Sequence, residues 1–210
     1  MPRQRRTSRK SNTRPLHIAD TVVRDYESND ARYDTWMQYR GLTPETVDRF
    51  RLGVGKLPGD KYSQYPTRMI LPVFDNEGVC RVLRARSIVD DGPKWLTYGS
   101  SILYAPKGIP FNAIMMIVEN NATACLVAQC APHLTLLSPT CGAQSWNKNW
   151  PIWIAAKKPK LVIVAGDNDT AGIKMTARWI RELSVVNILC ESMVMTEETE
   201  TKMIKGEWSK

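Results

Sequence analysis

Four short apolar runs in the second half of the chain constrain the architecture most: Ile114–Val118, Leu134–Ser138, Leu161–Ala165 and Val185–Leu189. Each is strand-sized, and none shows the apolar–polar alternation of a half-exposed strand. Strands of that kind are buried on both faces, as inside a parallel sheet. The stretches between them, near 122–131, 143–155 and 170–183, read as helices. Strand, helix, strand at this spacing predicts βαβ units and an α/β fold with a parallel sheet.

In such a sheet, ligands gather at the carboxyl ends of the strands. Those ends are acidic here. The first run ends at Glu119, and the third continues through Gly166 into Asp167-Asn168-Asp169, then Thr170-Ala171-Gly172 and a helix. Asp167 and Asp169 stand two apart just past a buried strand, and Glu119 arrives from a second one. Taken alone, an Asp-x-Asp is more often a turn whose aspartates cap a helix. With Glu119 at an equivalent strand end, the three become candidate catalytic and metal-binding residues. Carboxylate oxygens suit Mg2+ or Mn2+, and Mg2+ keeps waters that a substrate phosphate can replace.

The first half reads differently. From Asp30 to Gln38 the pattern is helical, with Tyr33, Trp36, Met37 and Tyr39–Arg40 on one face and Gly41 as the stop. Thr43 is an N-cap candidate with Pro44 at the first helical position, and Val47 and Phe50 face inward. Strands are predicted at 68–74, 79–86 and 94–98, the first two joined by a turn at Asp75-Asn76-Glu77-Gly78. In 79–86 apolar and cationic residues alternate, which predicts a half-exposed strand with a row of arginines outward. The resulting layout is a basic, disordered tail at 1–30, a small α+β subdomain at 31–110, the βαβ domain at 111–190 and a polar, frayed tail at 191–210.

Composition narrows the partners. Net charge is +8, and six cations with no acid fall within the first 14 residues. A basic tail of that kind suits phosphate backbones or serves as a solubilising arm. The five cysteines include no Cys-x-x-Cys pair, and the two histidines have no ligand-like neighbours, so no structural zinc is expected. Reduced cysteines in the cytoplasm are the simplest reading, with Cys125, Cys130 and Cys141 as small core hydrophobes. No apolar run is long enough to span a membrane. Trp146, Trp150 and Trp153 have helix-like spacing and are read as packing beneath the sheet.

The block Ile117-Val118-Glu119 with Gly166-Asp167-Asn168-Asp169-Thr170-Ala171-Gly172 resembles a Toprim domain, the catalytic domain of DnaG-type primases and of the primase half of phage primase–helicases. The upstream chain is similar to a primase core in particular. Tyr39-Arg40-Gly41-Leu42-Thr43-Pro44-Glu45 and Phe50-Arg51-Leu52-Gly53 resemble its entry, and Arg68-Met69-Ile70-Leu71-Pro72-Val73 its first long strand. Arg84-x-Arg86 and Lys94-Trp95-Leu96-Thr97 resemble its basic strand and the segment after it. Leu103-Tyr104 with Lys107-Gly108 resembles the bridge into Toprim, and Ser138-Pro139-Thr140-Cys141-Gly142 the loop after its second strand.

The resemblance implies that Glu119, Asp167 and Asp169 bind divalent metal and the NTP triphosphate. It implies that Arg68, Arg84, Arg86 and Lys94 hold template or nascent primer. The implied activity is synthesis of short RNA primers from NTPs on a single-stranded DNA template, with two Mg2+ or Mn2+ ions, in phage or plasmid replication. A replicative helicase, or a zinc-binding primase module acting in trans, is the implied partner. Two positions depart from the pattern: relatives usually carry Gly after the Toprim Glu and Asp four residues on, where this chain has Asn120 and Thr123. Those departures motivate a second reading, a non-catalytic nucleic-acid-binding replication accessory. A Toprim nuclease is a third, disfavoured by the primase-like block upstream.

Overall fold

The computed structural model of the protein describes residues 16–75, 77–89, 92–105, 111 and 113–208. The first fifteen residues of the expected tail lie outside these. The N-terminal half opens with helices α1 (Asp20–Glu27), α2 (Ala31–Arg40) and α3 (Pro44–Arg49). Strands β1 (Gly53–Gly55), β2 (Arg68–Phe74), β3 (Cys80–Arg86) and β4 (Trp95–Gly99) follow, paired in that order as an antiparallel sheet. The C-terminal half adds β5 (Leu103–Tyr104), β6 (Ile114–Val118), α4 (Asn121–Cys130), β7 (Thr135–Pro139), α5 (Trp150–Ala155), β8 (Leu161–Asp167), α6 (Thr170–Val185), β9 (Cys190–Met195) and α7 (Glu197–Ile204). Its sheet runs β5-β7-β6-β8-β9; β5 pairs antiparallel and the other pairings are parallel. This is the mixed α/β architecture with a parallel βαβ sheet that the apolar runs predict.

Helix α4 explains how the halves join. Every residue from Asn121 to Ala128 is buried. One core cluster runs through Trp36, Leu42, Met69 and Leu71 of the first half, across α4, to Met116, Val118, Ile163 and Ala165 of the second sheet. A helix enclosed on all sides carries no amphipathic stripe, because no face of it meets water. The opposite face of that sheet is closed by α5 and α6, where the Trp150 and Trp179 rings stack at 5.9 Å. Packing beneath the sheet is therefore what the Trp146–Trp150 spacing encodes, with Trp146 edge-on to both rings.

Local signals set several boundaries as expected. Gly41 ends α2 in the left-handed conformation, at φ 64°. The Thr43 side chain accepts from Thr46 N at the start of α3, with Pro44 as its first residue. Asp75 closes the β2–β3 turn by accepting from the Glu77 and Val79 N–H groups.

Other expectations are corrected. Residues 16–30 are not a disordered tail. Ile18 bridges to Cys80, and α1 buries Val23 and Tyr26. Arg51 donates to both Glu27 oxygens at 2.9 and 2.7 Å and to Asp20 at 2.6 Å. These anchors are far apart in sequence, so local composition does not reveal them.

Residues 191–208 are not a frayed tail either. The fourth strand is Cys190–Met195, in register with β8 from Val162↔Cys190 to Asp167↔Met195, whereas Val185 closes α6 and Leu189 is exposed. As an edge strand β9 is largely open to solvent, and its polarity follows from that. In α2, Trp36 and Arg32 are buried while Met37 and Tyr39 face out. Arg32 tolerates burial because it donates to Leu52 O at 3.1 Å and to Asp48 at 2.5 Å. The predicted helix at 143–155 shrinks to α5, which starts next to Pro151. Cys125 is in the core, but Cys141 is exposed; all five cysteines are free thiols. No helix among the described residues is long and apolar enough to cross a membrane.

Candidate functional site

Helix starts follow three strand ends directly. Asp167 is the last residue of β8, and Asp169 caps α6 by accepting from Gly172 N at 2.8 Å. This turn closes tightly because Gly166 and Gly172 lack side chains: a Cβ on Gly172 would stand 2.2 Å from Asp167 O, and one on Gly166 2.4 Å from Gly172 O. Glu119 follows β6, the neighbour of β8. Asn120 then caps α4 through Thr123 N at 2.9 Å, in extended backbone at φ −127°. Glycine is thus not required after Glu119, and the asparagine has a role of its own there. Thr196 caps α7 in the same way, through Thr199 N at 3.1 Å. All three capping residues line one cleft, so three helix N-termini direct their positive ends at it.

The cleft has a volume of about 840 Å³. Glu119, Asp167, Asp169 and, from the start of α7, Glu197, Glu198 and Glu200 form one wall. Arg40 from α2, Arg84 and Arg86 from β3, and Lys94 with Trp95 at the start of β4 form the other. Leu71↔Arg84 and Met69↔Arg86 are cross-strand pairs, so both arginines stand on the face of the first sheet turned toward the second half. Arg84 donates to the Thr97 hydroxyl, and the guanidinium groups of Arg84 and Arg86 lie 4.7 and 5.4 Å from the Trp95 ring centre.

Burial and crowding set the charge states. The Glu119 carboxyl is pushed up to about 7, first by burial and then by the negative charge of Asp167, against a hydrogen bond from the Asp167 backbone N–H. Asp167 is also raised, by burial and by Glu200 and Asp169, with Lys94 and Arg40 opposing. Arg86 falls to about 10 through burial and its like-charged neighbour Arg40. One buried oxygen of Glu119 and the buried Nε atoms of Arg40 and Arg84 have no hydrogen-bond partner. Carboxylates that repel one another, with an unpartnered oxygen among them, fit a hard divalent cation. Among the described residues no three His, Cys, Asp or Glu side chains are gathered into a metal-holding group, and Asp169 is turned to the α6 cap.

The chain superposes on solved primase cores. The catalytic domain of DnaG primase bound to ssDNA matches with TM-score 0.71 at 16% identity, over 90% of this chain and 76% of that one. A DNA primase domain from Pseudomonas aeruginosa matches at 0.68 and 17%, over 85% and 70%. The primase fragment of the bacteriophage T7 primase-helicase protein matches at 0.60 and 16%, over 81% and 69%. The fold is that of a DnaG-type primase catalytic core. No protein-family model matches the sequence, and no curated protein matches it.

Within this primase-core fold, six of the seven residues singled out in the sequence share the cleft: Glu119, Asp167, Asp169, Arg84, Arg86 and Lys94. Arg68 does not. Odd and even positions of a strand face opposite ways, and Ile70↔Ala85 places Arg68 on the sheet face away from Arg84 and Arg86. It is 1% exposed, donates to Pro93 O at 2.8 Å and lies 5.0 Å from the Tyr65 ring centre. The expected outer row of arginines also divides, since Arg81 bonds Asp75 at 2.6 Å and Arg84 is only 6% exposed. The residues missed are Arg40, Trp95 and the three glutamates of α7. Arg40 and Trp95 lie inside the motifs that carry the primase resemblance. The glutamates stand out as a cluster in the sequence, but in a segment whose polarity predicts fraying.

Proposed function

We propose that the chain is a DNA primase-like nucleotidyltransferase that makes short RNA primers from NTPs on single-stranded DNA, in phage or plasmid replication. The observation that carries the reading is the opposition of two walls in one cleft: carboxylates at strand ends facing arginine, lysine and tryptophan, on a primase-core fold. Phosphoryl transfer asks a protein mainly for positioning and charge neutralisation. Glu119, Asp167 and Asp169 would hold Mg2+ or Mn2+, which supplies charge neutralisation at the transferring phosphate when bound. Arg84, Arg86 and Lys94 bind the phosphates of template and primer, and the helix N-termini at Asn120, Asp169 and Thr196 add positive potential toward the triphosphate. Trp95, with two guanidinium groups over its ring, is the aromatic side chain that the cleft brings to a base. Reported structures of this fold include a catalytic domain bound to ssDNA and a fragment of a primase-helicase, which supports a DNA template and a helicase partner here.

Two observations favour the second reading, a binding accessory without catalysis: one oxygen of the Asp169 carboxylate is taken by the α6 cap, and position 123 carries a hydroxyl instead of an acid. Calorimetric titration with Mn2+ separates the two. The primase reading expects saturable Mn2+ binding that Asp167→Ala abolishes. A protein that binds single-stranded DNA but takes up no Mn2+ would establish the accessory reading instead.

A further inference from the structure

Helix α7 reaches the cleft through Glu200. Its Oε1 accepts a hydrogen bond from the Thr123 hydroxyl at 2.7 Å, and its Oε2 stands 4.0 Å from Arg40 Nη1. Thr123 lies on α4 and Arg40 at the end of α2, so one carboxylate joins three elements distant in sequence. The placement is built, since the Thr196 cap starts the helix and buried Met203 pins it against the core shared with α4.

Arg40 needs such a partner. It is largely buried, its Nε has no hydrogen-bond partner, and like-charged Arg86 is close enough to be perturbed by it. Among the described residues, Glu200 is the one carboxylate within ion-pair reach of Arg40, with Asp167 acting on it from farther off. A desolvated guanidinium beside another cation keeps a fixed place only where a negative charge holds it. Helix α4 carries no acid of its own, and the hydroxyl of its Thr123 orients the carboxylate coming from α7.

We propose that Glu200 is a positioning residue: from α7 it supplies the negative charge that α4 lacks, and it fixes Arg40 in the cleft. The kinetic consequence rests on the phosphoryl-transfer reading above, but the positioning is a property of the free protein.

The test is side-chain NMR of the arginine Nε–H groups in the full chain, with the Arg40 signal assigned from its loss in Arg40→Lys. In the wild type, Arg40 gives a rigid, dispersed signal. In Glu200→Gln that signal moves toward the position of exposed arginines and gains fast motion, while circular dichroism shows an intact fold. Adding Thr123→Asp to Glu200→Gln returns the charge from α4 and restores the signal. In primer synthesis, Glu200→Gln raises the KM for NTP about five- to ten-fold, the size of one loosened charged contact, with a smaller change in kcat. The double variant recovers the KM. An unchanged Arg40 signal in folded Glu200→Gln overturns the proposal, whatever the kinetics. Should that variant not fold, Glu200→Asp replaces it: the shorter side chain draws the carboxylate back from the 4.0 Å ion pair, and an unmoved Arg40 there overturns the proposal equally. Absence of primer synthesis by the wild type removes the primase reading alone, and the NMR arm still decides the role of Glu200.

Discussion

Burial beside Asp167 pushes the Glu119 carboxyl up to about 7, and this has consequences at the scale of one residue. Its folded value lies above its unfolded one, so the folded protein binds the proton more tightly. Stability therefore falls as pH rises from the ordinary glutamate value of 4.5 to about 7, and levels off above that. Glu119→Gln removes the penalty: chemical denaturation at about pH 8 should show a gain of about 1–2 kcal/mol after solvent screening, with a flatter pH profile. Mn2+ affinity should run the other way and rise through neutral pH, because the cation needs the carboxylate form. Arg68 and Arg86 offer a second contrast, being close along the sheet but on opposite faces. Arg68→Ala should cost about 2–4 kcal/mol in denaturant melts, since it strips partners from a buried site and leaves DNA binding alone. Arg86→Ala should leave the melt nearly unchanged and reduce the salt slope of single-stranded DNA binding by about 1, the share of one phosphate contact.

At the scale of elements, the β8–α6 junction carries the two aspartates only because strand and helix touch. A Cβ at Gly172 would meet Asp167 O at 2.2 Å and Asp167 N at 2.5 Å, both backbone atoms that cannot step aside. Gly172→Ala should therefore displace the Asp167–Asp169 turn, lowering Mn2+ affinity at least about ten-fold and stability by about 2 kcal/mol or more, read by titration and thermal melting. The same junction was plain in the sequence, because an unbroken apolar strand ends in Gly-Asp-Asn-Asp. Elements α1 and α7 were not. Each is eight residues long and holds on by one or two buried side chains, Val23 and Tyr26 in one and Met203 in the other. So short an apolar stripe leaves almost no periodicity. Strand β9 was displaced by five residues for a related reason: the apolar Val185–Leu189 run finishes a helix, and an edge strand needs little hydrophobicity. A basic strand face in a small sheet usually meets water, so the sequence points Arg84 outward; the second half of the chain covers it here, a fact of tertiary packing alone.

At the scale of the whole molecule, the proposed function depends on two halves with different tasks meeting across α4. The antiparallel sheet presents cations and a tryptophan, and the parallel sheet presents carboxylates at its strand ends. On the proposed reading neither wall alone would hold a polyanion and a hard cation together, and the shared core from Trp36 to Ile163 keeps them in register. The measurement that tests this account most directly is primer synthesis: the full chain with single-stranded DNA, labelled NTPs and Mg2+ or Mn2+, beside an Asp167→Ala/Asp169→Ala double variant that still binds DNA. The account predicts short labelled oligoribonucleotides from the wild type and at least about a hundred-fold fewer from the variant. Equal product from both, or none from a wild type that binds DNA and metal, would contradict it.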